Sequence, residues 1–195
     1  MKKRDFLTAS AFASVMPMAQ ATPLKTSQDG PVLLTVSGDI GKSNRGPLDP
    51  ALDQMMVKQG IVFEKAMVFD ASTLYRMPSV QIQPTLEYDA KVHTLSGPLI
   101  STVLSAAGVA LTKPLSIVLR AVDGYNVAVS LADLQTYRMV LATHMDGRPL
   151  ALGGLGPLWA VLDADRVAPF KDKPLKERFA LCPWGLYHIG VLSKQ

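Results

Sequence analysis

The sequence predicts an α+β domain of several short, mixed strands and about four short helices. Three observations predict it. Short apolar runs, many of them alternating, are separated by Gly, Pro and Asp-Gly turns. The clearest helical repeat is brief, from Pro98 to about Ala107. The chain of 195 residues is 48% hydrophobic and 18% charged, which suits one sizeable core, and it contains neither an internal repeat nor a linker.

Taken in order, Val32 to Val36 reads as a first strand, and Gly41 to Pro47 as an exposed loop. Asp49 is placed to cap a helix with Pro50 at its first position; Leu52, Met55 and Met56 share a face, and Gly60 ends it. Ile61 to Phe69 alternates like a strand. Asp70 caps a helical turn that Pro78 terminates, and Val80 to Thr85 is extended. Asp89-Ala90 marks a turn within Leu86 to Leu95. In the helix from Pro98, Ser96 or Gly97 is the cap and Gly108 the stop; Leu99, Ile100, Val103, Leu104 and Ala107 form its apolar face. Leu115 to Val122 and Tyr125 to Val129 read as strands joined by Asp123-Gly124 in a type I′ turn. Ser130 caps the next helix with Asp133 three residues on. Met139 to Thr143, Leu158 to Leu162 and Leu186 to Val191 are the remaining strands, and Ala164 to Arg178 is a long surface loop.

Residues 1–21 read as an export signal. Lys2, Lys3 and Arg4 precede an apolar, Ala-rich stretch, and Ala19-Gln20-Ala21 is a cleavage site of the A-x-A kind. Lys3-Arg4-Asp5-Phe6-Leu7 also resembles a weakened twin-arginine motif. The expectation is a periplasmic or secreted protein whose residues 22–195 form a single domain with no transmembrane segment after signal removal. Half of the net charge of +4 lies in Lys2, Lys3, Arg4 and Asp5, so the mature chain has no basic surface suited to nucleic acid. One cysteine, Cys182, excludes an internal disulfide.

Four segments recur in a fixed order: Ser96-Gly97-Pro98-Leu99 before the Ala106-Ala107-Gly108 helix end, Ala121-Val122-Asp123-Gly124-Tyr125, Asp146-Gly147-Arg148-Pro149-Leu150, and Gly156-Pro157-Leu158-Trp159. Trp184-Gly185-Leu186 and Ile189-Gly190-Val191 follow. The ordered set, spanning roughly Val32 to Val191, resembles the oxidoreductase molybdopterin-binding domain family of the sulfite oxidase type. The resemblance implies that family's fold and a molybdopterin cofactor in a groove near Tyr125, Asp123, His93 and Gly156. It also implies a catalytic role for Tyr125 as a hydrogen-bond donor. The cofactor-binding residues it suggests are His93, Asp123, Gly124, Gly154 and Gly156. The bland alternative for Tyr125 is a strand aromatic packed beside a tight turn.

The chain departs from the family at the metal. A cysteine thiolate is the protein's ligand to molybdenum there, and the corresponding stretch here is Gln83-Pro84-Thr85-Leu86-Glu87-Tyr88. The His and Arg flanking the Gly-Pro turn are replaced by Leu152-Gly153-Gly154-Leu155-Gly156, whose backbone N–H groups remain as candidate anion donors. His93, His144 and His188 have no metal-type spacing, so no metal ligand is assigned. There is no G-x-S-x-G elbow, and Cys182 reads as an inert thiol rather than a nucleophile paired with His188. Two readings follow. One is an oxidoreductase-type domain that binds a pterin or related small ligand without thiolate-held molybdenum. The other is a non-catalytic periplasmic module for a small ligand or for a periplasmic or membrane partner protein.

Overall fold

The computed structural model describes residues 30–193. The stretch read from the sequence as an export signal, residues 1–21, lies outside the described residues. The architecture is α+β, with three sheets and four short α-helices among the described residues.

The first strand β1 (Val32–Gly38) lies beside β2 (Ala66–Asp70) on one side and β11 (Leu186–Ser193) on the other. Strands β5 (Leu115–Ala121) and β6 (Asn126–Ser130) complete a five-stranded sheet in the order β2-β1-β11-β5-β6. The β1–β11 pair is parallel, with Thr35 opposite His188 and Ser37 opposite Gly190; the other pairs are antiparallel. Alternation gives the sheet two unlike faces. Leu34, Val36, Ile117, Leu119, Ile189 and Val191 enter the main core. Thr35, Ser37, Arg120 and His188 occupy the other face, partly covered by a small cluster of Met56, Ile61, Phe63, Ala66 and Tyr187.

A second sheet has the order β3 (Ser79–Ile82), β4 (Leu95–Pro98), β8 (His144–Met145), β9 (Arg148–Pro149). A two-stranded sheet pairs β7 (Val140–Ala142) with β10 (Trp159–Val161). The helices are α1 (Gln54–Lys58), α2 (Ala71–Arg76), α3 (Ile100–Ala106) and α4 (Leu131–Thr136).

Two helix starts follow the expected chemistry. The Asp70 carboxylate accepts the Thr73 N–H at 2.8 Å, and the Ser130 hydroxyl oxygen accepts the Asp133 N–H at 3.0 Å. Other expectations are corrected. Ser96, Gly97 and Pro98 belong to strand β4, and Leu99 precedes α3 without a side-chain cap. Gly97 is demanded by close packing, because a Cβ there would stand 2.0 Å from the Leu141 carbonyl oxygen of β7. The β5–β6 turn is not type I′. Ala121 O accepts the Gly124 N–H, Ala121 N donates to Tyr125 O, and Gly124 alone takes a positive φ, +93°. That is a three-residue loop with a glycine bulge, in which Val122 and Asp123 avoid the left-handed region.

Ile61 to Lys65 is irregular rather than strand, although Ile61 and Phe63 are buried and Val62 exposed. In α1 only Met56 is buried; Met55 lies on its exposed side, and Leu52 precedes the helix and stands in solvent, so the three do not share a buried face. The 164–178 segment lies partly inside: Ala164 and Phe170 join the main core, with Phe170 edge-on to Tyr137.

Candidate functional site

A groove of about 400 Å³ opens where the β5–β6 hairpin meets the chain before β11. Asp123 and Tyr125 line it from the hairpin, and Glu87 and Tyr88 from the loop after β3. Lys176, Phe179, Cys182 and Trp184 complete its walls. Backbone bonds hold the 182–185 wall. Val122 N donates to Gly185 O at 3.0 Å, Ala160 N to Pro183 O at 3.1 Å, and the Trp159 indole N–H to Cys182 O at 2.9 Å. Thr85 is fastened across the molecule, its N–H and hydroxyl each donating to Asp165 at 2.7 Å, while Arg178 donates to the other Asp165 oxygen at 2.8 Å.

Tyr125 is about half exposed. Its hydroxyl donates to the Ala180 carbonyl at 2.7 Å, so its proton is engaged and its oxygen lone pairs remain available. Asp123 stiffens the turn by accepting the Tyr125 N–H at 2.9 Å. Across the groove, burial raises the Tyr88 phenol above its ordinary value, and the Glu87 charge adds to the effect, against a smaller opposing influence of the Trp184 side chain. The groove therefore joins aromatic faces with one ammonium and two carboxylates.

The predicted site residues divide. Tyr125 and Asp123 share the groove, with Gly124 between them at the hairpin tip. His93 does not line it. Its Nδ1–H donates to Asp146 at 2.6 Å and its Nε2–H to Asp89 at 2.9 Å, on the outer side of the same loop that carries Glu87 and Tyr88. Hydrogen bonds from His93 to Asp146 and then Asp89 raise its pKa. Gly154 lines a separate surface groove with Asp146 and Arg148. The N–H groups of Gly154 and Gly156 both donate to Ala151 O at 3.1 Å, so the Gly-rich loop closes on itself and offers neither donor to an anion. His144 packs against the Tyr75 ring, 4.9 Å between centroids, and pairs with the Thr143 hydroxyl. His188 is buried in the sheet, where Arg120 donates to Nδ1 at 3.3 Å; the remaining Nε2–H donates to Ser37 Oγ at 2.9 Å. Burial first, and the Arg120 charge second, lower His188 to about 3, so it is neutral.

The fold does carry Cys182 to the groove wall. However, burial pushes its thiol up to about 12, and the Glu87 charge acts in the same direction. A protonated, buried thiol does not supply the soft anionic ligand that thiolate-held molybdenum requires. No group of three or more His, Cys, Asp or Glu among the described residues is arranged to hold a metal ion. The residues present do not fit a thiolate-ligated metal centre. The same burial, with His188 paired to Ser37, removes Cys182 as a nucleophile.

Sequence reasoning assigned no role to Glu87, Tyr88, Lys176 and Phe179; Glu87 and Tyr88 had a signal, because they close the stretch that the resemblance sets against the metal-ligand cysteine, whereas only the tertiary fold brings Lys176 and Phe179 to the hairpin. Trp184 had a signal, because it stood in the ordered motif set.

No family model matches the chain, and no curated protein matches it. Among solved structures, the chain is similar to the sulfane dehydrogenase SoxCD from Paracoccus pantotrophus, at a TM-score of 0.53 and 13% identity. The likeness covers 83% of this chain and 38% of that one, so this chain spans well under half the length of its neighbour. At that identity the likeness is one of fold.

Proposed function

We propose that this chain is an exported ligand-binding domain of the sulfite oxidase type, which holds a pterin or related flat, small molecule in the Tyr125 groove without thiolate-ligated molybdenum catalysis. The carrying observation is the groove's donor set. Aromatic faces from Tyr88, Tyr125 and Trp184 surround a space of about 400 Å³, within the usual range for a small-molecule site, while the thiol in its wall is buried and protonated. A flat heteroaromatic would stack on those faces. Glu87 and Asp123 would accept from its ring N–H groups and Lys176 would donate to a carbonyl or anionic substituent. The likeness of fold to a sulfane dehydrogenase supports descent from an oxidoreductase architecture.

The test is purification from a molybdate-supplied host, followed by metal analysis and titration of Trp184 fluorescence with a simple pterin. The expected result is no stoichiometric molybdenum and a saturable change in emission that Trp184→Leu removes. One molybdenum per chain, lost in Cys182→Ser, would overturn the reading. So would the absence of any saturable pterin response.

A further inference from the structure

The lining of the Tyr125 groove is unbalanced in charge. It holds two carboxylates, Glu87 and Asp123, against one ammonium, Lys176, and neither a guanidinium nor an imidazole. None of these three side chains is in an ion pair among the described residues. They differ in setting: Glu87 is half-buried, whereas Asp123 and Lys176 are exposed. Water and salt screen an exposed charge far more than a half-buried one, so Glu87 dominates the field inside the groove.

Two neighbouring groups register that field. The Glu87 charge acts on the Tyr88 phenol and on the Cys182 thiol, and in each it adds to burial in favouring the protonated form. Neither group feels an opposing pull from Lys176. The guanidinium closest along the chain, Arg178, is committed elsewhere, donating to Asp165 and to Lys173 O, each at 2.8 Å.

The uncharged groups of the lining give the second observation, and it has the same sign. Tyr125 spends its proton on Ala180 O at 2.7 Å, so its oxygen is left to accept. Asp123 binds the Tyr125 N–H through one oxygen at 2.9 Å, which ties this acceptor pair together and leaves the other carboxylate oxygen for a donor. Tyr88, Tyr125 and Trp184 add aromatic rings, whose π faces attract a cation and repel an anion.

We propose that the groove selects a positively charged flat heteroaromatic, a ring protonated or alkylated at nitrogen, over the neutral ring and over the anion. Glu87 is the counter-ion and Asp123 the exposed second carboxylate. The inference rests on the small-molecule reading of the groove above and adds the charge of the ligand. A ring cation uses both sets of groups, stacking on the aromatic residues while its charge meets Glu87. An anionic ligand would find one exposed ammonium against two carboxylates, and a neutral ring would leave the Glu87 charge uncompensated.

The test is calorimetric titration of the full chain with three bicyclic rings of one shape and different charge: N-methylquinolinium, quinoline and quinaldate, with a simple pterin alongside. N-methylquinolinium is expected to bind at least about tenfold more tightly than quinoline, and quinaldate more weakly than either. In Glu87→Gln the preference for the cation over quinoline is expected to fall below about threefold. Lys176→Gln, at an exposed position, is expected to weaken quinaldate further and keep the order. A ratio between two ligands on one variant is insensitive to a partial loss of folded protein. Equal affinities for the three rings, tightest binding of quinaldate, or an undiminished preference in Glu87→Gln would overturn the proposal, and a saturable pterin response would still uphold the groove as a ligand site. A cation preference without any pterin response would overturn the pterin reading and uphold the charge selection. Absence of binding by all four at millimolar concentration would overturn both.

Discussion

His188 sits in the middle strand of the five-stranded sheet, buried, neutral and bonded to Ser37 and Arg120. His93 sits on a loop at the rim, its two ring N–H groups each on a carboxylate. Glycines show the same division. Gly97 at the centre leaves room for the Leu141 carbonyl, whereas Gly124 at a hairpin tip has open space around it and is needed for its φ. The centre constrains side chains by volume and desolvation, and the rim by backbone conformation and charge. A groove assembled from both, as the Tyr125 groove is, takes a fixed wall from the first and its polar groups from the second.

The sharpest way to break this comparison is a pair of alanines. Gly97→Ala is expected to cost about 3 kcal/mol or more, because its Cβ would collide with backbone that cannot move independently. Gly124→Ala is expected to cost about 1 kcal/mol, the penalty of a left-handed alanine with no clash. Urea unfolding of both variants measures the difference, and equal losses would dissolve the distinction.

A smaller effect should appear against pH. His188 falls from an ordinary value of 6.5 to about 3 in the folded chain. Its contribution is therefore complete above the unfolded value. It declines as pH falls below that value, by about 1.4 kcal/mol per unit, until the folded value is reached. Urea unfolding at pH 6.5 and pH 5 should differ by about 2 kcal/mol from this group. The check is that His188→Gln flattens the slope.

The smallest expected effect is at the rim, with the opposite sign. His93 is raised, so its contribution is complete below 6.5 and is lost as pH rises through its folded value. Asp89 and Asp146, both lowered first by their bonds to His93, contribute above their ordinary range and lose that contribution in acid. In a ring-proton NMR titration, His93 should titrate above 6.5, and His188 should stay unprotonated at pH 5. Indistinguishable curves would refute the contrast.

The sequence made the local rules visible and left the assembly hidden. The Asp70 and Ser130 caps were legible because each is settled within three residues of chain. The start of α3 was misread because Gly97-Pro98 has the composition of a helix entry. What makes it strand is pairing with Val80 and Ser79 of β3, and nothing near residue 97 encodes that pairing. At the site, Asp123 and Tyr125 were legible from the hairpin signal. Glu87 and Tyr88 were marked only as part of the stretch where the resemblance places a metal-ligand cysteine, and Lys176 not at all, because they come from loops without periodicity and converge only through the fold. The Gly154–Gly156 stretch looked like an anion cradle on composition, and only its hydrogen bonds to Ala151 show those donors to be spent.

The position of β11 carries a consequence for how the chain comes together. It lies between β1 and β5, yet it is synthesised after every other strand described here. Without it, the strand order leaves β2-β1 and β5-β6 with no partner across the central slot, so that each pair, once formed, would carry an open edge. Those edges are ready templates for pairing with other chains. The last strand is thus also the protection against self-association, and a ribosome stalled before Leu186 would leave a sticky intermediate rather than a smaller stable domain.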